Sequence, residues 1–151
     1  MPEDTACARP GAASLAQRLR GHLAASALLR PDDAVLVALS GGRDSMVLLH
    51  LLRFALPELR LRLRAAHFDH AMRPGSAADA DWVRGVCRAW AVPLVEERAT
   101  DAPRTEAEAR AHRYAFLRRA AARAPDARVA TAHHADDQAE TVLFRAIRGA
   151  G

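Results

Sequence analysis

The chain has 151 residues, half of them hydrophobic, enough to bury one good core and to argue for one domain. Its formal charge is +4 and all 22 basic residues are arginine, so no catalytic or phosphate-gripping lysine exists and a Walker loop, G-x-x-x-x-G-K-S/T, is excluded. The mild basic excess suits a phosphate-rich partner but falls short of a nucleic-acid-coating tail.

Residues 1–13, with Pro2, Pro10 and Gly11 among small and charged residues, read as a flexible N-terminal tail. Ser14 caps a helix running to about Leu29, with Leu15, Leu19, Leu23 and Ala27 on one face. Arg30-Pro31-Asp32-Asp33 ends it and turns into a short apolar strand, Ala34 to Leu39. Ser40-Gly41-Gly42-Arg43-Asp44-Ser45 follows. Beyond it, Met46 to Leu52 begins a helix that stops near Pro57. Two glycines and two serines at a strand-to-helix turn let backbone approach a ligand, and the amides and helix dipole there suit phosphate.

Leu61 to Asp69 is expected to be a second strand, ending in His67-Phe68-Asp69-His70. Ser76 with Asp79 forms a capping box for a helix burying Val83, Val86, Cys87 and Trp90. Val92 to Glu97 is a short third strand. Thr105 with Glu108 caps a helix to about Ala122. Val129 to Ala132 is a fourth strand, leading into His133-His134-Ala135-Asp136-Asp137 and a last helix closed by Gly149.

Alternating strands and helices predict an α/β fold, a mostly parallel sheet with helices on both faces. Ligands of such sheets bind at the carboxyl ends of the strands, where the glycine loop, His67 to Arg73 and His133 to Asp137 would gather. Each cluster also has a plainer reading. Gly41 and Gly42 suit an ordinary turn, and His67 and His70 suit strand-end histidines satisfied by backbone. Arg110 and Arg113 suit solvated charges paired with Glu106 or Glu108. His133, His134, Asp136 and Asp137 suit either a divalent metal site or N-capping by Asp136. Trp82, Trp90, Tyr114 and Phe116 are expected in the core, and Arg60 to Arg64 on an exposed strand edge. Cys7 and Cys87 form no C-x-x-C pair, so neither zinc nor redox chemistry is signalled. With no signal peptide and no apolar run near ~18 residues, a soluble, intracellular protein without membrane association is expected.

The glycine loop resembles the S-G-G-x-D-S signature of the PP-loop ATP pyrophosphatases. His67 to Pro74, Glu106 to Tyr114, and Ala130 to Thr141 through Arg148-Gly149 are similar to the tRNA(Ile)-lysidine synthases, a resemblance spanning about Leu15 to Gly151. Asp69 stands where that family often has Asn. The chain also stops just past Arg148-Gly149, so residues 14–151 read as a catalytic domain incomplete at its C-terminus. The resemblance implies an adenine nucleotide alpha hydrolase-like, Rossmann-like fold and a cytoplasmic ligase. ATP would adenylate C2 of the wobble cytidine of tRNA(Ile) bearing a CAU anticodon, releasing pyrophosphate, and free L-lysine would displace AMP.

On this resemblance Asp44, Arg110, Arg113 and His133 are catalytic, and Ser40, Gly41, Gly42, Arg43, Asp44, Ser45 and His67 bind the nucleotide. The residues themselves add physical support. Asp44 suits Mg²⁺, a hard cation that takes carboxylates. Arg110 and Arg113, three apart, share a helix face and can clamp phosphate. Asp137 and Glu140, also three apart, can hold the lysine ammonium. A homodimer is left open. The alternatives are another PP-loop synthetase, a tRNA thiolase (against which the lack of paired cysteines argues), or an ATP-binding module inactive as a fragment.

Overall fold

The computed structural model describes residues 14–72, 75–124 and 126–132. Four strands, β1 (Ala34–Leu39), β2 (Arg62–Asp69), β3 (Leu94–Arg98) and β4 (Arg128–Thr131), form one sheet in the order β3-β2-β1-β4. Every pairing is parallel. β1 lies inside, with Val35 opposite Leu63 on one side and Arg128 on the other. A strand covered on both faces should read as a continuous apolar run, and Ala34 to Leu39 does.

The helices are α1 (Leu15–Ser26), α2 (Arg43–His50), α3 (Ser76–Ala89) and α4 (Glu106–Ala122). Leu23 of α1, Met46 and Leu49 of α2, and Val83 and Cys87 of α3 pack on Val35, Val37 and Leu39. On the opposite face Phe116, Leu117 and Ala120 of α4 cover Leu36, Ala66 and Phe68. Helices therefore lie on both faces, as the alternation predicted.

Ser14 caps α1 reciprocally: its Oγ accepts from the Gln17 backbone amide at 3.2 Å while the Gln17 side-chain Oε1 accepts from the Ser14 backbone amide at 2.7 Å. The helix is shorter than expected, ending at Ser26, and Leu15 is exposed. Thr105 caps α4 as expected, but the Glu108 carboxylate accepts from the Arg104 amide, one residue upstream of the cap.

Three expectations are corrected. Ser76 is the first residue of α3 and not its cap; Gly75 takes that place with φ +93°, and the Ser76 hydroxyl bonds Asp69 instead. α2 begins at Arg43, so half the glycine loop is already helix, and it passes at Leu51–Ala55 into a π-helical turn. Trp82 is 51% exposed, because Ala80, Val83 and Cys87 form the buried stripe of α3. Arg62 to Arg64 keep one exposed strand edge as expected, since β3 joins β2 only from Ala65 onward, while Arg60 and Leu61 precede the strand.

Candidate functional site

The strand order reverses at β1: β2 and β3 follow on one side, and β4 lies on the other. The carboxyl ends of β1 and β4 thus flank a topological switch point, where open α/β sheets bind ligands. The glycine loop leaves β1 there.

The loop is held by its own serines. The Ser45 hydroxyl, buried, donates to the Gly42 carbonyl at 2.9 Å and accepts from the Ser40 amide and hydroxyl, each at 3.2 Å. The Gly42 amide donates to Ser40 Oγ at 3.2 Å. Gly41 has φ +81°, a left-handed conformation that favours glycine. Gly42 is the N-cap of α2 with no side-chain cap, so the first-turn amides of Arg43, Asp44 and Ser45 have no acceptor within the helix. Asp44 lies in that first turn with its side chain 54% exposed, and Arg43 points to solvent, 3.8 Å from it.

At the end of β2, His67 is buried and its Nδ1 lies 2.9 Å from the Leu39 carbonyl oxygen, bracing the strand that carries the loop. Asp69 is also buried. Its Oδ1 accepts from the Ala71 amide at 2.9 Å and its Oδ2 pairs with Arg98 at 3.2 Å. Burial pushes its pKa up, yet the Ala71 amide, the Ser76 hydroxyl, Arg98 and His67 together hold it below the usual carboxylate range. An asparagine there would keep the turn and lose the ion pair. His70 stacks edge-on to Phe68 at 4.9 Å between centroids. Burial, and then the charge of Arg113, hold its pKa below the usual imidazole value against the pull of Asp69.

On α4, Arg110 and Arg113 each place a guanidinium carbon 5.6 Å from the Tyr114 ring centroid. Tyr114 and Phe116 are buried, as expected. A cavity of about 220 Å³ joins these parts, lined among others by Ser40, Ser45, Phe68, His70, Arg113 and Thr131. The end of β4, where the last family-like segment begins, supplies Thr131 and Ala132, to which the sequence assigned no individual role. Arg113 reaches the cavity and Arg110 does not line it. Nor does His67, which backs the loop from the other side. His133, Asp137 and Glu140, with His134, Asp136 and the last helix, lie outside the described residues.

The family model for the PP-loop domain matches residues 13–151. The chain belongs to the PP-loop family. Among its relatives, tRNA(Ile)-lysidine synthase of Gloeobacter violaceus is 47% identical over 138 residues, covering 91% of this chain and 42% of the relative. The enzyme of the same name from Thermotoga maritima is 42% identical, covering 82% of this chain and 32% of its own length. That of Symbiobacterium thermophilum is 41% identical, covering 91% and 30%. This PP-loop chain therefore spans between 30 and 42% of the length of these three relatives. Among solved structures, the U34-tRNA thiolase NcsA from Methanococcus maripaludis with its 4Fe-4S cluster superposes with a TM-score of 0.62. At 19% identity, over 82% of this chain and 45% of that one, it shares the fold.

Cys87 of this PP-loop domain is buried in the core, and burial followed by Glu96 pushes its thiol up, so it is no ready nucleophile. Among the described residues no group of three or more His, Cys, Asp or Glu could hold a metal ion. One carboxylate at a helix N-terminus does fit Mg²⁺ carried on phosphate oxygens, since that ion usually takes one or two protein carboxylates and completes its shell from substrate.

Proposed function

We propose that this domain catalyses the ATP-dependent ligation of L-lysine to C2 of the wobble cytidine in tRNA(Ile) with a CAU anticodon. The observation that carries the reading is the Arg113-bearing cavity against the glycine loop at the β1–β4 switch point, and the similarity to tRNA(Ile)-lysidine synthases narrows it. Ala38, Ala66, Phe68 and Leu117 offer an apolar wall for the adenosine of ATP. The first-turn amides of α2, at the positive end of its dipole, receive the departing pyrophosphate. Arg113 offsets the negative charge that develops at the α-phosphate as the cytidine oxygen attacks, with Arg110 one turn earlier.

Asp44 holds Mg²⁺, which when bound neutralises charge on the leaving pyrophosphate. His133 completes the catalytic set, and Asp137 and Glu140 hold the lysine. No described helix is long and apolar enough to cross a membrane, and the reading places the enzyme in the cytoplasm, with a homodimer as one assembly to test. The decisive experiment is AMP formation by the complete reading frame with tRNA(Ile) bearing CAU. Dependence on lysine is expected, and AMP release without lysine, or modification at another position, would sink the assignment.

A second reading is favoured by the chain's share of its relatives' length: an ATP-binding module without catalysis of its own. Calorimetry with ATP and Mg²⁺ beside Asp44→Ala separates the two. Binding by the chain without AMP formation supports the module.

A further inference from the structure

Exposed large apolar side chains are few among the described residues, and two of them, Val47 at 38% and Phe54 at 47%, come from α2 and the π-helical turn that continues it. Arg43, Val47, His50 and Phe54 follow the spacing of one helical face, and all four are exposed. Arg43, at the glycine loop, has 92% of its side chain in solvent. It lines neither the first cavity, which holds Arg113, nor a second one of about 240 Å³ between the loop and α3. From Arg43 to Phe54 the stripe runs roughly 16 Å at ~1.5 Å per residue.

The far end of the stripe is built from rings and a cation. Phe54 meets Trp90 edge-on with centroids 5.4 Å apart, and His50 lies 5.2 Å from Phe54 and 5.6 Å from Trp90. Arg53 donates from Nε to the Trp90 carbonyl at 3.1 Å, which holds its guanidinium carbon 5.4 Å from the Phe54 centroid. Arg60, Arg84, Arg98 and Arg119 each pair with a carboxylate. Arg53 has no such partner among the described residues, and Glu58, the nearest acid along the chain, is taken by Arg20 at 2.6 Å. The π-helical turn buries Leu52 and leaves Phe54 outside; such turns are frequent at functional sites.

A half-exposed ring beside a cation without an acid suits a partner that is planar and anionic at once. A nucleotide offers a π-face to the ring and a phosphate to the guanidinium. A second copy of this chain, docked about a twofold axis on the patch, would set Arg53 against Arg53, so like charge disfavours it.

We propose that the outer stripe of α2 is an RNA-binding surface, with a base of the substrate tRNA stacked on Phe54 and a phosphate drawn to Arg53. The identity of the RNA rests on the reading above; where the RNA lies goes beyond it. The reacting cytidine sits at the glycine loop, and stacked nucleotides advance ~3.4 Å each along a strand, so Phe54 takes a base about five nucleotides away. Arg43, at the start of the stripe, then meets RNA backbone in place of the nucleotide expected from sequence.

The test uses the complete reading frame with p-benzoyl-L-phenylalanine in place of Phe54 and, as a control, in place of Ala122, exposed on α4 across the sheet. Irradiated with tRNA(Ile), the first is expected to cross-link RNA within the anticodon arm, and the control is not. Phe54→Ala should raise the Kd for tRNA about 5- to 100-fold, whereas Phe54→Tyr, which keeps the ring, should stay within about twofold of the parent. Arg53→Gln should flatten the salt dependence of binding by about one phosphate contact. Urea midpoints and ATP calorimetry on the same samples report that the variants are folded. A cross-link to a second protein chain, no cross-link to RNA, or a folded Phe54→Ala that binds tRNA like the parent overturns the proposal. Lysine-dependent AMP formation by the parent keeps the two readings apart. AMP release without lysine beside an intact Phe54 cross-link removes only the ligation, and lysine dependence without that cross-link removes only the surface.

Discussion

On one face of the sheet Leu49, Leu52, Leu56 and Val83 close against Val35 and Val37. On the other, Phe116, Leu117 and Ala120 of α4 cover Leu36 and Ala66 and leave the first cavity open beside the carboxyl ends of β1 and β4. The same central strand serves both faces. Its odd-numbered residues Val35, Val37 and Leu39 belong to the closed side, and Leu36 to the open one, because successive side chains of a strand alternate. The difference teaches that stability is concentrated under α2 and α3, while α4 supplies both cover and charge for the site.

The sharpest test pairs one large residue from each face. Phe116→Ala should cost about 3–5 kcal/mol and Leu49→Ala about 2–5 kcal/mol in urea denaturation. Only Phe116→Ala should also weaken ATP binding, since it removes cavity wall. Equal loss of affinity in samples of equal folded fraction would erase the distinction between the faces. Next comes charge on the open side: Arg113→Ala should weaken ATP binding about 10- to 100-fold, with little change in denaturation midpoint. A smaller backbone effect is expected at the loop between them. A Cβ on Gly41 would meet its neighbours at ordinary distances of 3.8 to 4.0 Å, so Gly41→Ala should cost only its left-handed conformation, about 1–2 kcal/mol. A much larger loss would show that the loop tolerates no shift at all.

Much of this was legible in the sequence because it rests on local chemistry. The run Ala34 to Leu39 is β1 residue for residue, and Ser14 and Thr105 cap their helices as their side chains require. The glycine loop and the His67 strand end do meet at one edge of the sheet. What could not be read depends on tertiary neighbours. Nothing local says that Ser76 prefers Asp69 to its own helix terminus, or that Trp82 falls just off the buried stripe of α3. Spacing places Arg110 and Arg113 on one helix face; only packing decides that Arg113 is the one inside the cavity. His67 was expected with the nucleotide; its ring lies beside Gly41 and lines a cavity together with Ser40.

The mildest effect should appear in acid. The folded pKa of Asp69 lies below that of the unfolded chain, so the stability it contributes is present above about pH 4 and is lost as pH falls further. Denaturation midpoints compared at about pH 5 and about pH 3 should fall more for the parent than for Asp69→Asn, which has no such proton to gain. Parallel slopes would mean that the Arg98 pairing contributes nothing.

β1 also sets a constraint in time. One of its edges pairs with β2, close behind it in sequence, but the other waits for Arg128 to Thr131. During synthesis most of the chain must emerge before that edge can be covered, and contacts so distant in sequence form slowly. Until then the most apolar of the described strands presents an unpaired row of amides and carbonyls. That row is a natural place for a folding intermediate to associate with its neighbours or to be shielded by a chaperone.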